Sequence, residues 1–125
     1  MKSELDVLKD VCSKLDSNGI SYMLTGSFAA NFYAVPRMTR DIDIVIEVQP
    51  KDIERVYQIF QNDFYVDETS ISEAILRKNM FNIIHNDLSL KIDFIIRKNE
   101  EYRKIEFQRK KRIQLNDTTI WIVSL

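Results

Sequence analysis

Only two glycines, two prolines, one cysteine and one histidine occur among the 125 residues of this chain. Each scarcity excludes something. A lone Cys12 cannot close an internal disulfide, which fits a reducing cytoplasm. A lone His85 can build neither a zinc cluster nor a histidine-based triad within one chain. Neither G-x-x-x-x-G-K-[ST] nor G-x-G-x-x-G is present, so P-loop and Rossmann phosphate sites are not available. No apolar run approaches the roughly 18 residues that cross a bilayer. The first residues, MKSELDVLKD, are acidic and amphipathic, unlike a signal peptide. The expectation is a cytoplasmic protein with no membrane partner. Net charge is −1, which neither demands nor excludes nucleic acid.

What is present is ordinary globular composition, with 45% hydrophobic residues, enough for a real core. Leu5, Leu8, Val11, Cys12 and Leu15 recur with helical spacing over 3–17, and Ser17-Asn18-Gly19 stops that helix. Cys12 lies on its apolar stripe, as core packing. Residues 20–24 read as a short strand. Thr25-Gly26-Ser27 is a turn whose serine can cap a helix, FAANFYA, ended by Pro36. A basic loop from Arg37 to Arg40 leads into Asp41–Val48. Pro50 opens a helix to about Gln61, residues 64–66 form a short strand, and Ser70 or Ser72 caps a helix to about Lys78. Strands at Met80–His85 and Ser89–Ile96 form a hairpin, with His85 at the surface beside its turn. A charged helix at 99–110 precedes strands at Arg112–Leu115 and Thr118–Val123. The pattern is one α/β (α+β) domain over 1–125, with a mixed sheet and helices packed on it.

The chemistry concentrates in two strands. DIDIVIEV alternates strictly, with Ile42, Ile44, Ile46 and Val48 on one face and Asp41, Asp43, Val45 and Glu47 on the other. Carboxylates are disfavoured in a β-branched strand, and residues two apart lie about 6.6 Å from each other on the same face. Asp41 and Asp43 can therefore converge on one site, where their repulsion is costly without a cation. Magnesium supplies that cation, and a pair of ions suits phosphoryl or nucleotidyl transfer. Asp93 is flanked by apolar residues in a second strand, sharing a face with Lys91 and Ile95. If that strand neighbours the first, Asp93 reaches the same site. The bland alternative also stands: Asp43 as a half-exposed strand residue beside Lys91, and Asp41 as a cap or a partner of Arg40. Gly26 lets a phosphate approach the backbone, and Ser27 at a helix N-terminus can receive it, although the same pair also serves as a plain cap.

The stretches L-T-G-S-F-A-A-N, R-M-T-R-D-I-D-I-V-I and K-I-D-F-I-I together resemble the DNA polymerase β-like nucleotidyltransferase superfamily. The likeness is to its small prokaryotic branches, the minimal nucleotidyltransferases and the AbiEii-type toxins, and it spans about residues 22–97. Gly26 and Ser27 match the h-G-[GS] turn, Asp41 and Asp43 the D-h-D strand, and Asp93 the later single acid. Arg37, Thr39, Asp41, Ile42 and Asp43 match the R-x-T-x-D-I-D run of related branches. The resemblance implies that Asp41 and Asp43 bind two magnesium ions (or manganese) and that Asp93 binds one and acts as base. Gly26 and Ser27 would receive the β- or γ-phosphate, with Arg37 and Arg40 as further phosphate contacts. For the arginines, pairing with Glu47 or Asp43 is an equal alternative.

The implied reaction is transfer of a nucleoside monophosphate from a nucleoside triphosphate to a hydroxyl acceptor on protein, RNA or a small molecule. It extends to a toxin–antitoxin or defence pair, with a homodimer or a cognate antitoxin as partner. The alternative is a catalytically silent nucleotide- or partner-binding module of the same fold. Relatives commonly continue into a helical segment, whereas this sequence stops at TTIWIVSL. Either a partner completes the site or a C-terminal helical segment is lacking. The basic stretch 103–112 reads as the cationic end of a helix that begins with Glu100 and Glu101, or as a phosphate or RNA patch. Trp121 belongs to core or interface.

Overall fold

The structure, a computed structural model, describes residues 3–25, 41–115 and 117–124, with Asp41 and Leu115 described by backbone alone. Gly26, Ser27, Arg37 and Arg40, together with the FAANFYA helix expected between them, lie outside the described residues.

Helix α1 spans Glu4–Ser17. It starts because Ser3 and Asp6 cap each other: the Ser3 hydroxyl accepts from the Asp6 amide at 3.1 Å, and the Ser3 amide donates to Asp6 Oδ2 at 3.0 Å. It ends at Asn18 and Gly19, whose φ of +69° is a left-handed conformation that costs glycine nothing. Strands β1 (Tyr22–Thr25) and β2 (Asp41–Ile46) follow, then a short 3-10 turn at Pro50–Asp52 leading into α2 (Ile53–Phe60). After β3 (Phe64–Tyr65) comes α3 (Glu68–Arg77). Its cap is Asp67, not Ser70 or Ser72. Asp67 Oδ1 accepts from the Thr69 amide at 3.2 Å, and its other oxygen accepts from the Ser70 hydroxyl at 2.9 Å. A carboxylate at the cap satisfies the helix start one turn earlier than a serine inside it. Strands β4 (Met80–His85) and β5 (Lys91–Ile96), helix α4 (Glu101–Gln108) and strands β6 (Lys111–Leu115) and β7 (Thr118–Ile122) complete the described elements.

Among the described residues the strands form one seven-stranded sheet in the order β3-β4-β5-β2-β1-β7-β6. It is mixed, as expected. β2 runs parallel to β5 and β1 to β7, whereas β1–β2, β3–β4, β4–β5 and β6–β7 are antiparallel. The alternation of β2 and β5 sends Ile42, Ile44, Ile46, Ile92, Phe94 and Ile96 into one core with Val7, Leu8, Val11, Cys12 and Leu15 of α1. Burying a side chain of this size stabilises by about 1.5–3 kcal/mol. Phe94 is ringed by Phe60 at 5.4 Å and Phe81 at 5.3 Å.

His85 is buried at 3% exposure rather than at the surface. The β4–β5 turn folds back over its ring. Its Nδ1 accepts from the amides of Asp87 and Leu88, both at 3.2 Å, and its ring meets Phe64 edge-on at 5.2 Å. Cys12 packs in the core as expected, and burial pushes its thiol up to about 12. Below it, Tyr22 Oη accepts from the Trp121 amide at 3.3 Å, and burial likewise raises the phenol. No helix among the described residues is long and apolar enough to cross a membrane.

Candidate active site

Because side chains on neighbouring strands point the same way at paired positions, the register converts directly into rows across the sheet face opposite the core. One row runs Asn82, Asp93, Asp43, Thr25 over β4, β5, β2 and β1. The next row toward the C-terminal end of β2 is apolar: Met80, Ile95, Val45, Met23. The row on the other side carries Tyr65, Ile84, Lys91 and, by its backbone, Asp41.

Asp43 and Asp93 thus stand directly opposite each other on adjacent parallel strands, about 4.8 Å apart by strand spacing. Asp41 stands two residues before Asp43 on the same strand, in register with Lys91. The structure brings Asp43 and Asp93 together and sets the backbone of Asp41 beside them. The other expected contacts, Gly26, Ser27, Arg37 and Arg40, fall outside the described residues. Glu47 is held by Arg97 Nε at 2.8 Å.

The Asp93 side chain is only 13% exposed, and its buried Oδ1 has no hydrogen-bond partner among the described residues. Lys91 Nζ approaches that oxygen at 3.8 Å, beyond hydrogen-bonding range. A buried carboxylate oxygen left in this state costs free energy unless a ligand satisfies it. Two facing carboxylates, with a third aspartate one strand period away, make an all-oxygen donor set that suits a hard divalent cation. Among the described residues no three His, Cys, Asp or Glu side chains form a metal-binding group, and the side chain of Asp41 is not among those described. The carboxylate pair nevertheless fits magnesium in chemistry and in the buried Asp93 oxygen that no described residue hydrogen-bonds.

Three solved structures share this fold over nearly the whole chain. A candidate nucleotidyltransferase from Thermotoga maritima is 17% identical with a TM-score of 0.62, covering 97% of this chain and 77% of its own. The lincosamide antibiotic adenylyltransferase LnuA, solved with lincomycin bound, is 12% identical with a TM-score of 0.63, covering 98% and 80%. The chain has the nucleotidyltransferase fold. An antigenic nucleotidyltransferase-like protein from Paracoccidioides brasiliensis is 18% identical with a TM-score of 0.59, covering 97% of this chain and 61% of that one. No family model matches the sequence, and no curated protein matches it. At these identities the nucleotidyltransferase fold is what is shared, and the residues of the site have to be judged on their own geometry.

Helix α4 makes the open face of this nucleotidyltransferase fold unequal. Met23, 1% exposed, and Phe107, 5% exposed, are buried yet stand apart from the main core. They enclose a cavity of about 330 Å3 that begins at Thr25 and Asp43 and runs along Val45 and Ile95. Reading the sequence alone missed this cavity. Its only sequence trace is the apolar residue two places after each acid, Val45 after Asp43 and Ile95 after Asp93. The basic stretch after α4 begins is largely engaged within the chain. Arg103 pairs with Glu106 at 3.2 Å, and Lys110 and Arg112 lie over the Trp121 ring at 5.0 and 5.3 Å. Burial lowers the Lys110 ammonium from its usual range.

Proposed function

We propose that this chain is a magnesium-dependent nucleotidyltransferase, moving a nucleoside monophosphate from a nucleoside triphosphate to a hydroxyl acceptor. The observation that carries the proposal is the facing pair Asp43–Asp93 on adjacent parallel strands, with one Asp93 oxygen buried and without a hydrogen bond among the described residues. Asp41 and Asp43 would hold the metal ions, and Asp93 would share one of them. When bound, magnesium supplies positive charge against the phosphate oxygens, where transfer gathers negative charge.

The chain's own part is positioning and proton transfer. The carboxylate row would hold the cations that draw the reacting phosphate over the sheet face, and Gly26, Ser27, Arg37 and Arg40 would receive the outer phosphates. Asp93 takes the proton of the acceptor hydroxyl. The acceptor oxygen then bonds to the α-phosphorus as the bond from that phosphorus to the bridging oxygen breaks, and pyrophosphate leaves. Holding the groups in line supplies much of the acceleration.

Triphosphates labelled at the α-phosphate, incubated with magnesium and a cell extract, test the reaction. Label is expected to move to an acceptor with wild type and not with Asp43→Asn or Asp93→Asn. Absence of any labelled product, together with no thermal stabilisation by magnesium and triphosphate, would sink the proposal.

One observation favours a second reading, a silent nucleotide- or partner-binding module. Lys91 already brings a cation to 3.8 Å from Asp93. In that case triphosphate stabilises the fold equally with and without magnesium, and no label is transferred.

A further inference from the structure

We infer that the cavity beneath α4 seats the acceptor, and that the acceptor is a small molecule with an uncharged apolar body and a hydroxyl. The inference rests on the nucleotidyl-transfer reading of Asp43 and Asp93. Met23, Val45, Ile95, Ile96 and Phe107 are the apolar lining of the cavity, and Thr25 and Asp43 form one polar end. Arg97, Lys98, Arg103 and Glu106 line it as well. Val45 follows Asp43 on the same strand face, about 6.6 Å along. A molecule lying on Val45 therefore reaches the carboxylate row with one end.

The charges around the cavity point to an uncharged body. Arg97 is committed to Glu47 at 2.8 Å and leans over the Phe107 ring at 5.9 Å. Arg103 is committed to Glu106 at 3.2 Å. Lys98 remains on the exposed rim. With its two arginines paired, the cavity offers a phosphate chain little that a neutral ring would not receive. The cavity extends from the carboxylate row along Val45 and Met23. In-line transfer places the attacking hydroxyl opposite the leaving pyrophosphate, so an acceptor whose hydroxyl lies at Asp43 rests its body on these apolar residues. Its volume of about 330 Å3 is at the lower end of small-molecule pockets, roughly 300–1,000 Å3.

Benzyl alcohol, an uncharged ring with one hydroxyl, is the probe. Methyl NMR of the wild type is expected to show saturable shifts at Met23, Val45 and Ile95, with Leu76 on the outer surface of α3 unmoved. Val45→Phe fills the cavity and is expected to abolish saturation. Val45→Leu, one methylene larger and less disruptive to the sheet, is expected to weaken binding by about tenfold. With magnesium and labelled ATP present, benzyl alcohol is expected to yield its adenylyl ester. Shifts that never saturate, or that persist unchanged in both Val45 variants, overturn the inference. So does saturation by a short RNA oligonucleotide in place of benzyl alcohol, which would assign the cavity to a polynucleotide end. A parallel wild-type melt with magnesium and ATP separates the two levels. Stabilisation without benzyl alcohol binding leaves nucleotidyl transfer standing and removes the acceptor assignment. Benzyl alcohol binding without stabilisation removes the acceptor role along with the transferase reading.

Discussion

Ile44 and Asp43 are neighbours in sequence, yet one sits at full burial among the isoleucines of the core and the other opens onto a cavity mouth. On the next strand Phe94 is likewise buried in the core, and Asp93 stands on the opposite face with its side chain 13% exposed. The core face is packed without a polar side chain between β2 and β5, whereas the opposite face sets two like charges against each other across a ladder. One face is arranged for stability alone. The other holds a buried carboxylate oxygen that no described residue hydrogen-bonds, which a sheet selected only for stability has no reason to keep.

Four experiments break or sharpen this contrast. The largest effect is expected from Phe94→Ala, which empties the space between Phe60 and Phe81 and should cost about 3–5 kcal/mol in denaturant unfolding. A cost below that of an ordinary surface substitution would mean the core face is not the stabilising one. Next comes Asp43→Asn. It should lower nucleotidyl transfer by roughly a hundredfold or more, and should abolish the magnesium-dependent shift in melting temperature. Retention of both would detach the facing carboxylates from function.

The third experiment uses the groups under β1. The Cys12 thiol ordinarily ionises near 9.0 but is raised to about 12 by burial, and Tyr22 is raised as well. The unfolded chain therefore loses these protons before the folded one does. Their stabilising effect is complete below pH 9 and declines as pH rises, by roughly 1 kcal/mol per pH unit from Cys12 while it remains protonated in the fold. Cys12→Ala should flatten that alkaline slope, and unfolding followed from pH 8 to 11 measures it. The smallest effect belongs to Lys91→Met. Its pairing with Asp93 is long and its side chain partly exposed, so a loss of under about 1 kcal/mol is expected without metal. A larger relative gain from magnesium in this variant would show the lysine standing in for part of the cation's charge.

Much of this arrangement was legible in the chain itself. Strict alternation in DIDIVI and KIDFII identified which face each aspartate takes, because a strand's period of two leaves no other choice. The stop at Ser17-Asn18-Gly19 was equally readable, since few residues tolerate the positive φ found at Gly19. Local pattern identified the β4–β5 hairpin but carried no information on which strands distant in sequence pair. That β2 lies parallel to β5, with Asp43 against Asp93 rather than against Lys91, is a long-range pairing that neither strand's own pattern encodes. The same limit explains His85, which looked solvent-exposed beside a turn until the turn's own amides closed over its ring. The cap of α3 was misplaced because serine and aspartate both signal a helix start, and Asp67 satisfies it earlier. The cavity was invisible, since it depends on where Phe107 of α4 comes to rest.

The register between β2 and β5 also acts as an error check during folding. A slip of one residue would turn Asp93 into the hydrocarbon core and Phe94 out to water, a state far too costly to persist. The two acids that must meet are thus aligned by the isoleucines and phenylalanine between them. A chain that has packed its core in this register has, in the same step, set its carboxylates opposite one another.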